Sequence, residues 1–544
     1  MGQAHSRGCC SKSEQPIDVE QVESQESGLH WPSPPECGEK HEPDSLNEPG
    51  SKRGEADPVR DARSFQSDLA VDLTQSTRGS FQGVRLRETM RWAGRVWRYR
   101  PSELSMQRRS KLSGLSEQVE NFDIFFSHTW VTPGRWKVLS LLFQRGWPAM
   151  LVAWTAGVLL ACTLCMLDVL PLWSRWQSLT IGFTDDIPIG SWLMVFGGMF
   201  AMVGLVSSPY AAGWSDVCFL DVVCINQTDE RQLQDGINNI GSFLQASSEL
   251  HVLWSGPYLS RLWCVFEIAA YRKLNPTGKI VISPIYIEGV VCQIYMCMHL
   301  LSITFWYARW SARQARQHPA DSDGPGLFLI GVLLMLSGCS FIPAVHALGM
   351  GCRSKHQLLR DLKTFSLDHV DCTSDFDRRA IHDAIMHWYG SLEVFSDYVR
   401  GPFYQEVLGI IKPSSLSRAY IFLIMTPVLS LCLEPVLAMC KAEAPIESIL
   451  YYFLSVVVGL NLLWLPASFV ALDFVSEGML KPDGHGTFNG YIHTLITFGV
   501  VFFLFMLRSM CAITVYSRSP WLVFLWLSCA AVFAGLMWRT CRRR

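Results

Sequence analysis

Charge is scarce in this chain: 17% of its 544 residues are Asp, Glu, Lys or Arg, 49% are hydrophobic, and the formal net charge is −2. A balance of that kind gives no hint of a nucleic-acid partner, and none is expected. No Gly-x-Gly-x-x-Gly, phosphate loop or kinase signature occurs, which removes the usual nucleotide cradles. Nothing apolar follows the start, so no cleavable signal peptide is expected. The 18 cysteines form no evenly spaced ladder. At least half lie in or beside apolar runs (Cys162, Cys165, Cys292, Cys297, Cys339, Cys432, Cys440, Cys511, Cys529), where a thiol acts as a small hydrophobe. They are expected to be reduced. His128, Cys218, Cys224 and His251 are irregularly spaced and match no zinc pattern. No metal and no resident cofactor is expected.

What the chain has instead is long apolar runs. A membrane-spanning helix needs about 20 mostly apolar residues. Eight windows, near 148–170, 190–208, 284–306, 326–348, 419–440, 447–473, 490–513 and 520–537, meet or approach that length. Met1–Ser6 fits a myristoylation acceptor at Gly2, and Cys9 and Cys10 follow as palmitoylation candidates. Two acyl chains hold a membrane where one does not. Acylation is cytosolic, and eight crossings return the other end to that side. Arg539, Arg542, Arg543 and Arg544 beyond the last window agree with the positive-inside rule, whereas Arg309, Arg313 and Arg316 fall on the outer side and dissent. Six ionisable residues lie in or near the windows: Asp168, His346, Glu434, Asp473, His493 and Arg508. Glu434 stands out because Pro435 breaks the helix ladder beside it.

Outside the windows, 11–85 is rich in Ser, Glu, Pro and Gly and is expected to be a disordered tether. Phe122–Phe126 reads as a buried strand, and Pro133–Gly146 carries apolar residues at helical spacing. Val217–Ile225 reads as a second strand, Ile237–Ala246 as a helix and Glu249–Trp254 as a third strand. Ser260 is the expected cap of a helix through Arg272, and Lys279–Ile285 closes as a fourth strand. Strands alternating with helices imply a parallel sheet. Asp361–Arg400 carries a stripe of Phe376, Ala380, Ile381, Ala384, Ile385, Trp388 and Tyr389 that needs covering.

The order Phe-Asp-Ile-Phe-Phe-Ser-His, then Phe-Leu-Asp, then Ser-Arg-Leu-Trp-Cys-Val-Phe-Glu-Ile resembles the Toll/interleukin-1 receptor (TIR) domain. Ser260, Trp263, Cys264 and Glu267 match the most specific part of that pattern. The resemblance covers about 120–147 and 215–285. The acidic residue common after the first strand and the proline typical of the adaptor-docking loop are both missing.

The expected architecture is therefore a multi-pass α-helical membrane protein of about eight spans. Its cytosolic α/β domain is TIR-like, a flavodoxin-like parallel sheet. In chain order it comprises the acylation motif (1–10), the tether (11–85), the first part of the domain (120–147), a hairpin (148–208) and the second part (215–285). A second hairpin (286–348), a cytosolic helical segment (353–417), a four-span bundle (418–538) and a basic tail (539–544) follow.

The positions three and four residues from Glu267 hold Trp263, Cys264, Ala270 and Tyr271, so no local helical ion pair forms. In enzymatic members of the family, the resemblance implies, this glutamate supports cleavage of the nicotinamide–ribose bond of NAD through an oxocarbenium-like sugar. Glu267 is thus the candidate catalytic residue. Ser127, Trp130 and Trp263 are candidate substrate contacts, the indoles walling a flat ring. The resemblance also implies self-association through the domain and contact with other TIR-like proteins. Two alternatives stand beside NAD cleavage: a non-catalytic membrane-tethered interaction module, and a channel or transporter regulated by the domain.

Overall fold

The computed structural model describes residues 81–98, 104–226, 228–317, 325–372, 375–411, 416–479, 494–496, 499, 511–512 and 514–543. Gly2, Cys9, Cys10 and the tether up to residue 80 lie outside them.

Six described helices are long and apolar enough to cross a membrane: Gly134–Met166, Trp192–Tyr210, Tyr286–Trp310, Arg418–Lys441, Ile446–Leu472 and Pro520–Thr540. The expected window near 326–348 falls in the helix Pro325–Lys363, and most side chains of the window lie outside the described residues. The window near 490–513 is itself largely outside them.

The strands are β1 (Phe81–Arg85), β2 (Glu117–Val119), β3 (Phe122–Ser127), β4 (Ser174–Gln177), β5 (Asp186–Ile189), β6 (Val217–Phe219), β7 (Ser247–Trp254) and β8 (Lys279–Pro284). Six form one sheet in the order β2-β1-β6-β3-β7-β8. Strands β6, β3, β7 and β8 are parallel, and β1 runs antiparallel to both β2 and β6. In chain order the four parallel strands lie 2-1-3-4. Ile124 pairs with Cys218 and Phe125 with Phe219, so runs almost a hundred residues apart in sequence are neighbours. The rings of Phe125 and Phe219 stack at 4.5 Å, and Phe243 stacks on Phe219 at 4.8 Å.

The connection from β3 to β6 contains the first apolar hairpin. Its helix starts at Gly134 and continues without a break to Met166, so the expected soluble helix and the first window are one element. The chain turns through the β4–β5 hairpin and returns along Trp192–Ser207. Small residues let these helices approach closely. A Cβ on Gly157 would lie 2.7 Å from Phe200 Cβ, and one on Gly204 would lie 2.5 Å from Ala153 Cβ. Gly204→Leu is therefore expected to destabilise the fold by about 1–3 kcal/mol through overpacking, read as a lower unfolding midpoint of the detergent-solubilised protein. The dissenting Arg309 lies over the Trp176 ring of β4 at 5.7 Å. A β-strand indole thus receives this cation at the hairpin end of the bundle.

Four local expectations are corrected. Residues 81–85, within the expected tether, form β1, because two strands offer them backbone partners. The second strand ends at Phe219, and Asp221–Cys224 is a helical turn in which Asp221 Oδ1 accepts from its neighbour Val222 N at 2.8 Å. The helix expected at 237–246 is two, Glu230–Asn238 and Ile240–Gln245. Ser260 does not cap the next helix, Leu262–Leu274: its hydroxyl donates to the Pro257 carbonyl, and the Leu262 N–H donates to the carbonyl of Asp371 at 3.0 Å.

The described part of the stripe, from Ile381 to Tyr389, is covered within this chain. Ile381, Ala384 and Ile385 are buried in the core that surrounds the sheet. Trp388 packs on Phe266 at 5.6 Å, and Tyr389 Oη donates to the Ala269 carbonyl at 3.1 Å. Arg272 pairs with Glu406, adding a charge-assisted tie. A second core lies among the apolar helices.

Candidate functional site

In a parallel sheet ordered 2-1-3-4, the chain leaves the first strand to one side and returns on the other. The crevice between β3 and β7, beyond their carboxyl ends, is then the expected ligand position. Ser127 is the last residue of β3, and Trp254 is the last of β7. The loop after β7 supplies Tyr258, and the helix Leu262–Leu274 supplies Glu267.

These residues meet. Ser127 Oγ donates to Glu267 Oε2 and also bonds Tyr258 Oη. Tyr258 Oη reaches the Cys264 carbonyl at 3.4 Å, and Cys264 Sγ reaches the His128 carbonyl at 3.6 Å. Ser127 and Tyr258 are fully buried, whereas Glu267 is half-buried. Oε1 of Glu267 makes no hydrogen bond among the described residues.

Beside this cluster, Trp130 Nε1 donates to Asp221 Oδ2 at 2.8 Å. The Lys137 ammonium lies 4.9 Å from the Trp130 ring centre, and the His128 ring meets its edge at 4.6 Å. Trp263 is half-buried, one turn before Glu267, with its ring edge-on to Phe266 at 5.6 Å. Of the four site residues read from sequence, Ser127 and Glu267 are in direct contact. Trp130 packs on His128, the residue after Ser127, and bonds Asp221, and Trp263 shares the Glu267 helix. Sequence reading missed Tyr258 and Asp221. Tyr258 ends the run Ser-Gly-Pro-Tyr just before the motif helix, but nothing in its spacing shows that it faces β3.

Burial pushes the Glu267 carboxyl up to about 8, with Asp221 adding to the shift and the Ser127 hydrogen bond opposing it. Burial also raises Asp221, despite its bonds from Trp130 and Val222. It raises the Tyr258 phenol well above its usual range. The His128 imidazole is held well below its ordinary value by burial and by the nearby Lys137 charge.

These shifts fix the sign of a stability effect. The folded state holds the Glu267 proton more tightly than the unfolded chain, so its contribution is most favourable below about pH 4.5 and is lost as pH rises to about 8. The free-energy equivalent of the whole shift is at most about 5 kcal/mol, and partial contact with water reduces it to about 2 kcal/mol. Glu267→Gln removes that penalty. The variant is expected to unfold at a higher temperature than the parent at about pH 8.5, with the difference vanishing below about pH 5.

Comparison of the chain with protein-family models, curated proteins and solved structures finds no match.

Proposed function

We propose that the chain is an integral membrane signalling protein whose sheet domain is TIR-like, faces the cytosol and cleaves NAD at the nicotinamide–ribose bond. The carrying observation is the position of Glu267: it projects from the motif helix to the carboxyl end of β3, tied by Oε2 to Ser127, with Oε1 free of described protein partners. The six apolar helices support membrane residence. The pairing of β3 with β6 supports the family reading.

In the proposed reaction Oε1 accepts a ribose hydroxyl and stabilises positive charge developing on the sugar. The carbon–nitrogen bond breaks with its electron pair passing to the nicotinamide ring, which leaves neutral. Water adds to the sugar carbon and gives up a proton, leaving ADP-ribose. The cationic ring of bound NAD favours the ionised form of Glu267. Ser127, being buried behind the carboxyl, acts as a positioning residue; Trp263 and Trp130 border the ring.

A second reading, a non-catalytic tethered module, is favoured by one feature: the Trp130 indole N–H is already engaged by Asp221. Nicotinamide release from NAD by the purified full chain decides between them. Release that depends on Glu267 supports the enzyme, and no release at high protein concentration supports the module.

A further inference from the structure

A chain of polar side chains runs from the apolar bundle into the sheet. Tyr420 Oη, near the start of the helix Arg418–Lys441, donates to Glu288 Oε1 at 3.1 Å. Glu288, in the first turn of the helix Tyr286–Gln317, accepts from Ser140 Oγ at 2.9 Å and from Gln144 Nε2 at 3.3 Å. Ser283 Oγ of β8 donates to Gln144 Oε1 at 3.3 Å, and His251 Nε2 of β7 bonds Ser283 Oγ at 2.9 Å. The other ring nitrogen of His251 meets Glu249, which also accepts from Lys279.

Glu288, Ser140, Ser283, His251 and Tyr420 are all buried. A buried polar chain is destabilising unless every member is satisfied, so it specifies one arrangement of the elements it joins. Here it joins three helices to strands β7 and β8. Ser140 and Gln144 lie on the helix that leaves β3, Glu288 begins the helix that leaves β8, and Tyr420 belongs to the bundle. At the sheet end, His251 is the register partner of Phe126, with their rings 5.3 Å apart, and Phe126 precedes Ser127, which holds Glu267. The bundle end is tied independently: Glu434 Oε1 accepts from Leu193 N at 2.7 Å, and Trp154 Nε1 donates to Ser430 Oγ at 2.9 Å.

We infer that this chain regulates the Glu267 site by coupling the position of the helix Arg418–Lys441 to the register of β7 against β3. The inference rests on the reading of Glu267 given above, but the coupling itself is measurable without NAD. A shift of Tyr420 away from Glu288 leaves a buried carboxyl short of a donor, and Gln144 is the group able to respond. That response loosens Ser283 and His251, and with them the strand beside Ser127.

Hydrogen exchange of the full chain in lipid nanodiscs tests this. Tyr420→Phe and Glu288→Gln are conservative in shape, and each is expected to speed exchange in 247–254 and 122–127 by about three- to tenfold, the range that loss of one hydrogen bond implies. Ser448→Ala, which breaks a bundle contact to the Ile181 carbonyl on a different helix, Ile446–Tyr452, is expected to leave both strands unchanged. In a Ser283→Ala background the Tyr420→Phe effect should disappear, because the two share one path. Unchanged exchange in both single variants, or an equal acceleration in Ser448→Ala, overturns the coupling. Coupled exchange in a protein that releases no nicotinamide upholds the coupling and rejects the catalytic reading.

Discussion

Full-length protein reconstituted in lipid releases nicotinamide from NAD, and Glu267→Gln lowers kcat/KM by at least about 100-fold; that is the expected result if the carboxyl stabilises the sugar cation. The amide keeps the shape of the side chain and an acceptor for Ser127, so the loss isolates charge. The parent should also show a pH signature. Ionisation of Glu267 is displaced to about 8, and kcat/KM reports ionisations of the free enzyme. It is therefore expected to rise with pH and level off above about 8, in a profile absent from the variant. Ser127→Ala should weaken the effect by a different route. It removes the hydrogen bond that favours the charged form, so the inflection moves to higher pH while activity remains.

The largest expected stability effect lies where the two halves of the sheet meet. Phe219 is 2% exposed, stacks on Phe125 across the strand pair and contacts Phe243 on the other side. Truncation to Ala removes these contacts and the edge-on one to Phe122 at 5.7 Å, and leaves a cavity, a loss of about 3–5 kcal/mol. If the two fragments form one body, Phe219→Ala should speed hydrogen exchange in 122–127 as well as in 217–219. Separate bodies would confine the change to the second segment.

The strands on the central side of the sheet were legible because buried parallel strands are near-continuous apolar runs, interrupted only by Asp123 in Phe122–Phe126 and by Glu249 and His251 in Glu249–Trp254. Their pairing was legible only through the family resemblance, since periodicity says nothing about partners. The misreadings have local causes. Val217–Ile225 is apolar throughout except for Asp221, and the turn shows only in the structure, in the backbone bonds of Val223 and Cys224 to the Leu220 carbonyl and in the bond from Val222 N to the Asp221 carboxylate. The helix after Ser260 is entered through a backbone bond to Asp371, more than a hundred residues away. Phe81–Arg85 contains Gln, Gly and Arg, a weak strand signal that the partners β2 and β6 override. At the site, Glu267 was singled out by the family resemblance, with local pairing on its helix excluded by spacing. Its actual partner, Ser127, lies 140 positions earlier, beyond the reach of helical spacing.

One covalent measurement bears most directly on the meeting of the two fragments. Neighbouring strands lie about 4.8 Å apart, within the Cα separation a disulfide accepts. Ile124→Cys therefore places a thiol opposite the native Cys218. Mild oxidation of the full chain in lipid, followed by peptide mass spectrometry, should recover a disulfide joining positions 124 and 218. Recovery of both peptides unlinked, under oxidation that links other cysteines of the chain, would contradict the pairing of β3 with β6 and with it the site built on their carboxyl ends.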